Sequence, residues 1–86
     1  GLKMIVRFAD IFIDIAKMDI INFKYDFSRI YIECYHDNFN KKVMLSPDDY
    51  VGYEYSVEAF SDALVKIMVE NLKYANIKEH LKRNED

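Results

Sequence analysis

The chain has 86 residues, of which 51% are hydrophobic and 15% aromatic, and 12 Lys and Arg against 15 Asp and Glu give a formal net charge of −3. A chain of this length closes a single core, so we expect one domain over residues 1–86. Charged residues interrupt the apolar stretch near the N-terminus, which argues against a secretory signal or a membrane span. The lone cysteine, Cys34, has no internal disulfide partner. These features predict a soluble cytoplasmic protein.

The first element, over residues 4–16, has two interpretations. Its polar side chains recur at intervals of four, three, four and three residues, which would place them within about 80° of one another on a helix. The segment is also rich in β-branched Ile and Val, and Asp10 suits the corner of a hairpin between strands over residues 5–8 and 11–14. The polar stripe favours the helix, and its members are Lys3, Arg7, Asp10, Asp14 and Lys17.

Residues 20–45 alternate apolar and polar side chains with the period of two that is typical of strands. Turns are predicted at residues 26–29 and 37–40, and a third strand over residues 41–45. The sequence therefore predicts a three-stranded antiparallel meander. The apolar face of its first two strands consists of Ile21, Phe23, Tyr25, Ile30, Ile32 and Cys34.

The clearest element is a helix that begins at Val57. Ser56 is a good N-cap, and Tyr55 and Phe60 sit where a hydrophobic staple would form. Beyond residue 76 the helical period breaks, so residues 76–86 are predicted either as a short helix anchored by Ile77 and Leu81 or as a frayed tail. The predicted apolar face of the long helix consists of Val57, Phe60, Leu64, Ile67, Met68, Leu72 and Ala75.

The predicted order is helix, three strands, helix. This is an α+β, two-layer fold (αβββα) in which helices cover one sheet face and the other face is open, with the short extra C-terminal helix as one interpretation of residues 76–86.

Residues suited to catalysis or metal binding are few. The chain has one Cys and two His, at positions 36 and 80, and no glycine-rich phosphate loop. Cys34 shares the parity of Ile30 and Ile32, which predicts a buried core thiol, and His36 is predicted as a turn residue. We therefore expect no enzyme activity, no cofactor and no metal.

The charge distribution is uneven. Residues 46–62, here called the acidic segment, contain five Asp and Glu and no Lys or Arg, and so contribute −5 to a total of −3. Tyr supplies large contact area at low ordering cost, and this segment also holds three Tyr. One interpretation is that the acids merely stabilise the helix N-terminus. The other is a surface that binds the basic groove of a host protein through Asp48, Asp49, Tyr50, Tyr53, Glu54, Tyr55 and Glu58.

A second candidate surface is the open sheet face, with Tyr31, Glu33 and Tyr35. Tyr31 and Tyr35 are suited to stacking on bases, but Glu33 lies between them and the chain is acidic, so direct nucleic-acid binding is not expected. Self-association as a homodimer through this face is the better expectation.

The predicted element order is also that of the double-stranded-RNA-binding domain, but Glu58 and Asp62 stand where that domain has basic residues. In size, acidity and element order the chain resembles small phage anti-CRISPR proteins. That resemblance implies a phage or mobile-element protein that inhibits a host nucleic-acid-binding protein, such as a CRISPR effector, by occluding its basic groove. The alternative is a structural or oligomerisation module that self-associates through the exposed sheet face.

Overall fold

The computed structural model describes residues 2–26, 29–37, 39–44 and 54–84, with Asp26 and residues 39–44 described by their backbone. The described elements are six strands, one α-helix and two short 3-10 helices. The strands are β1 (Ile5–Phe8), β2 (Ile11–Asp14), β3 (Ile20–Asp26), β4 (Arg29–His36), β5 (Phe39–Met44) and β6 (Tyr74–Asn76). The helix is α1 (Val57–Val69), and the 3-10 helices span Ile15–Lys17 and Ile77–His80.

The strands form two three-stranded sheets. The first has the order β2-β1-β6, with β1 antiparallel to β2 and parallel to β6. The second is the antiparallel meander β3-β4-β5. The first sheet therefore joins residues from opposite ends of the sequence, while the second is built from consecutive strands.

The preferred prediction of a helix over residues 4–16 is wrong, because these residues form the β1–β2 hairpin with the bounds of the alternative interpretation. The four-three spacing of polar residues arises from three separate local roles. Arg7 lies on the outer face of β1, and its Nε donates to the carbonyl oxygen of Ala9 at 2.6 Å. Asp10 lies in the turn, and Asp14 caps the following 3-10 helix by accepting from the amide of Ala16 at 3.2 Å.

The meander prediction is confirmed. Ile21 pairs with Cys34 and Phe23 with Ile32, so the apolar positions of β3 and β4 share a face as the period of two predicts. Strand β5 begins at Phe39, two residues before the predicted position, because Phe39 already pairs with His36.

The start of α1 is also confirmed. Ser56 Oγ accepts from the amide of Ala59 at 3.0 Å, and Tyr55 packs edge-on against Phe60 with ring centroids 6.2 Å apart. The helix ends at Val69, and Asn71 at φ 55° reverses the chain. Its predicted apolar face was therefore too long: Met68 is exposed, and Ala75 is a buried residue of β6.

Three phenylalanines connect the layers of the core. The ring of Phe23 in the second sheet lies 6.0 Å from that of Phe8 in the first sheet and 5.4 Å from that of Phe60 in α1, measured between centroids. Phe8 and Phe60 are fully buried. The core is thus enclosed by two sheets and one helix.

The αβββα fold class is therefore corrected. The chain remains α+β, but the first helix is a hairpin, and residues 74–76, which continue the helical period in sequence, form a strand beside β1. The predicted C-terminal helix is a single 3-10 turn over Ile77–His80, anchored by the fully buried Ile77. Strand pairing overrides the helical period in both places: β1 pairs with the adjacent β2, and β6 pairs with the distant β1.

Candidate functional site

The acidic segment is described from Glu54 onward, and four of its predicted contact residues lie outside the described residues: Asp48, Asp49, Tyr50 and Tyr53. The remaining three are Glu54, Tyr55 and Glu58, and the structure gives them different environments. Glu54 and Tyr55 contact residues near the C-terminus, and Glu58 faces solvent.

Glu54 and Tyr55 hold the residues that follow the last 3-10 helix. Glu54 Oε1 lies 3.0 Å from Arg83 Nη2, and the carbonyl oxygen of Glu54 accepts from the amide of Asn84 at 2.8 Å. A hydrogen bond with Tyr55, followed by the charge of Glu54, raises the pKa of Arg83. Tyr55 is only 5% exposed, so its ring belongs to the core and has little area to offer to a partner. The charge of Glu54 is compensated within the chain.

Glu58 and Asp62 lie one turn apart on α1 and are both exposed. On the same outer side, further along the helix, three apolar residues are more than half exposed: Val65, Met68 and Val69. The outer face of α1 is therefore acidic over its first two turns and apolar over its last two. A solvated helix face is normally polar throughout, so this apolar end is suited to contact.

Glu33 is the most constrained residue of the second candidate surface. It is only 6% exposed, although it points away from the apolar face of its sheet. Its Oε1 lies 3.0 Å from Lys24 Nζ, and its Oε2 accepts from the Tyr35 hydroxyl at 2.5 Å. We call Lys24, Glu33 and Tyr35 the sheet-face network. Tyr31, the third predicted residue of this surface, pairs with Lys24 in register and is half-buried.

The sheet-face network raises the pKa of two of its members, Lys24 and Tyr35. The hydrogen bond to Glu33, aided by charge attraction, raises the pKa of Lys24. The hydrogen bond to Glu33, aided by burial, also raises the pKa of Tyr35. Lys24 therefore stays charged and Tyr35 stays protonated, so both side chains can donate to Glu33.

A third group lies at the end of the second sheet where β3 begins and β4 ends. His36 Nδ1 is 3.4 Å from Asp19 Oδ2, and His36 Nε2 is 3.5 Å from Asp37 Oδ2. One ligand atom from each of the three residues lies within 4.8 Å of the others. The chemical types, one imidazole and two carboxylates, are those of a divalent metal site.

Cys34 is buried, as predicted, and its burial raises the pKa of the thiol. A protonated, enclosed thiol is a poor nucleophile.

A groove between α1 and the last 3-10 helix has a volume of about 160 Å³ and is lined by Asp62, Lys66 and His80, among others. Ligand pockets usually measure about 300–1,000 Å³, so this groove is small for a cofactor.

Sequence reasoning missed Arg83, which lies far from Glu54 in sequence and is brought to it by the fold, and it missed the joining of Asp19 to His36. The proximity of Asp19 to His36 could have been predicted from the meander. Antiparallel pairing of β3 with β4 places the residue before β3 beside the end of β4.

No helix among the described residues has the length and apolar character needed to cross a membrane. Comparisons with protein-family models, curated proteins and solved structures found no match.

Proposed function

We propose that this chain is a non-enzymatic binding protein of phage or mobile-element type, acting in the cytoplasm, that uses its acidic segment to occlude the basic groove of a host nucleic-acid-binding protein, such as a CRISPR effector. The observation that carries the proposal is the charge distribution. The acidic segment holds −5 while the other residues together hold +2, from 12 Lys and Arg against 10 Asp and Glu. Such a segment is complementary to the basic surfaces that hold nucleic-acid phosphates.

The geometry changes which residues should carry the contact. Glu54 is paired with Arg83 and Tyr55 is buried, so both support the fold around the segment. Glu58 and Asp62 are exposed on one side of α1. We therefore assign partner contact to Asp48, Asp49, Glu58 and Asp62. The element order gives no support to the resemblance to anti-CRISPR proteins, because the observed order is not αβββα.

The test uses charge-reversed pairs and a matched control pair. The test variants are D48K/D49K and E58K/D62K, and the control is E70K/E79K, which makes the same charge change at two exposed acids outside the acidic segment. Each protein competes with labelled DNA for a panel of purified nucleic-acid-binding proteins that includes CRISPR nucleases, with DNA displacement followed by fluorescence anisotropy.

The wild type and the control should displace DNA from at least one panel member, and added salt should weaken the displacement. Both test variants should be weaker by about tenfold or more. Equal potency of test and control variants would contradict the assignment of the acidic segment. Absence of displacement from every panel member by the wild type would contradict the proposed function.

The alternative, self-association, is favoured by the apolar end of the outer face of α1. If two copies paired their α1 helices antiparallel, Val65 of one copy would meet Val69 of the other across the two-fold axis, and both exposed apolar side chains would become buried. The face of the second sheet, by contrast, carries the charged sheet-face network. Sedimentation equilibrium of V69K separates the two functions, with the similarly exposed Leu2 in L2K as control. A dimer that only V69K disrupts favours the oligomerisation module, and a wild-type monomer excludes it.

A further inference from the structure

The group formed by Asp19, His36 and Asp37, here called the Asp-His-Asp cluster, plays no part in the proposed function. Asp19 immediately precedes β3, His36 is the last residue of β4, and Asp37 begins the turn toward β5. Pairing of Ile20 with Tyr35 brings these positions together across 17 residues of sequence. The side chains of the three residues are 65%, 45% and 81% exposed, so solvent and ions reach them freely.

The distances in the cluster are longer than those of good ionic hydrogen bonds. Charged N–H donors usually lie about 2.7–2.9 Å from a carboxylate oxygen. Here the two imidazole nitrogens lie 3.4 Å and 3.5 Å from their nearest carboxylate oxygens. Zinc bonds of about 2.0–2.2 Å arranged tetrahedrally place neighbouring donor atoms roughly 3.3–3.6 Å apart. The 3.4 Å between His36 Nδ1 and Asp19 Oδ2 therefore matches the edge of a coordination tetrahedron, whereas Asp37 Oδ2 lies beside Nε2, on the other side of the ring.

The main chain holds the two loops of the cluster together. The amide of Asp19 donates to the carbonyl oxygen of Tyr35 at 2.8 Å, and the amide of Asp37 donates to Asp19 Oδ2 at 3.3 Å. Asp37 adopts φ 48°, a left-handed conformation that Asp tolerates better than most residues. Asp19 and His36 are thus positioned by backbone pairing, and the exposed side chain of Asp37, which lies beside Nε2, would rotate toward Nδ1 to share an ion with them.

We propose that the Asp-His-Asp cluster binds a divalent transition-metal ion, with Zn²⁺ as the best-fitting ion, through one imidazole nitrogen and one oxygen from each carboxylate. The mixed nitrogen and oxygen donors favour Zn²⁺ over Mg²⁺ and Ca²⁺, which prefer oxygen alone. Three protein ligands leave a fourth position for water or for a donor from a partner. Bound metal would connect the start of β3 to the β4–β5 turn.

Isothermal titration of the full chain with Zn²⁺ tests the site. We expect saturable binding of one ion per chain, and at least about tenfold weaker binding in H36A and in D19N, since even residues that only support metal ligands have effects of that size. The matched control is H80A, which removes the other histidine and should bind as the wild type does. Circular dichroism checks that each variant keeps its fold.

Parallel titrations with Ca²⁺ and Mg²⁺ distinguish a coordination site from simple attraction of cations to two carboxylates. The proposal predicts that both ions bind at least about tenfold more weakly than Zn²⁺. Unchanged Zn²⁺ affinity in H36A, equal affinity for Ca²⁺, or the absence of saturable Zn²⁺ binding would each overturn it. The acidic segment takes no part in these titrations, so the outcome is independent of the proposed function.

Discussion

Replacing Ala9 with Gly has opposite expected effects on stability in the two interpretations of residues 4–16. In the structure Ala9 occupies the first turn position of the β1–β2 hairpin at φ 57°. A left-handed conformation costs a residue with a Cβ atom roughly 1–2 kcal/mol, and Gly avoids most of that cost. In a helix, the same substitution would instead lower stability by about 1 kcal/mol.

The expected gain is smaller than the strain that is relieved. The unfolded chain gains about 0.4–1 kcal/mol of conformational freedom when Gly replaces Ala. The methyl group of Ala9 also packs partly against the core, so a few tenths of its burial energy, which is at most about 0.8 kcal/mol, are lost. We therefore expect A9G to raise the free energy of unfolding by about 0.5 kcal/mol and the melting temperature by roughly 2–4 °C.

Urea unfolding with linear extrapolation, together with thermal melts, measures this change. The control is A59G, which places Gly inside α1 and should lower stability by about 1 kcal/mol. If A9G lowered the urea midpoint as A59G does, the hairpin assignment and the strain argument would both be refuted.

Three further predictions follow from the core, the helix cap and the sheet-face network. Phe60→Ala should lower the free energy of unfolding by about 3–5 kcal/mol, because Phe60 is fully buried between Phe23 and Tyr55, and calorimetry would measure the loss. Ser56→Ala should lower the free energy of unfolding by about 1 kcal/mol, because it removes the N-cap acceptor. Ser56→Asp keeps an acceptor at this position and should retain most of the stability of the wild type, as urea midpoints would show. The pKa of Tyr35 is raised above its ordinary 10.0, so the protonated Tyr35 side chain stabilises the fold fully below pH 10, and this stabilisation is lost as the pH rises further. In urea titrations at alkaline pH, the free energy of unfolding of the wild type should therefore fall more steeply with pH than that of Y35F.

The second sheet and the start of α1 were predictable because their determinants are local. The period-two alternation around Ile21 and Ile32 lies within each strand and places both on the buried face. Ser56 acts on an amide only three residues away. Burial of Cys34 follows from the parity of its strand.

The β1–β2 hairpin was predicted only as the less favoured interpretation of residues 4–16, and the addition of β6 to it was not predictable, because β6 is distant from β1 in sequence. Tyr74–Asn76 continues the helical period of α1 and becomes a strand only because β1 offers an unpaired edge. The same limit applies to the candidate sites. Composition indicated the acidic segment but could not show that Arg83 compensates Glu54, and a turn prediction for His36 gave no sign of Asp19 beside it.

The parallel pairing of β1 with β6 has a consequence for how the chain folds. Val6 and Ala75 lie about 70 positions apart, so the length-dependent entropy of closing this loop is about 4 kcal/mol. The meander and α1 close much shorter loops and are expected to form earlier, bringing the two strands nearer to each other. Until β6 arrives, β1 has a free hydrogen-bonding edge beside its apolar residues Val6 and Phe8, and such an edge accepts strands from other molecules. Slow closure of this one pair would thus make the yield of refolding depend on protein concentration.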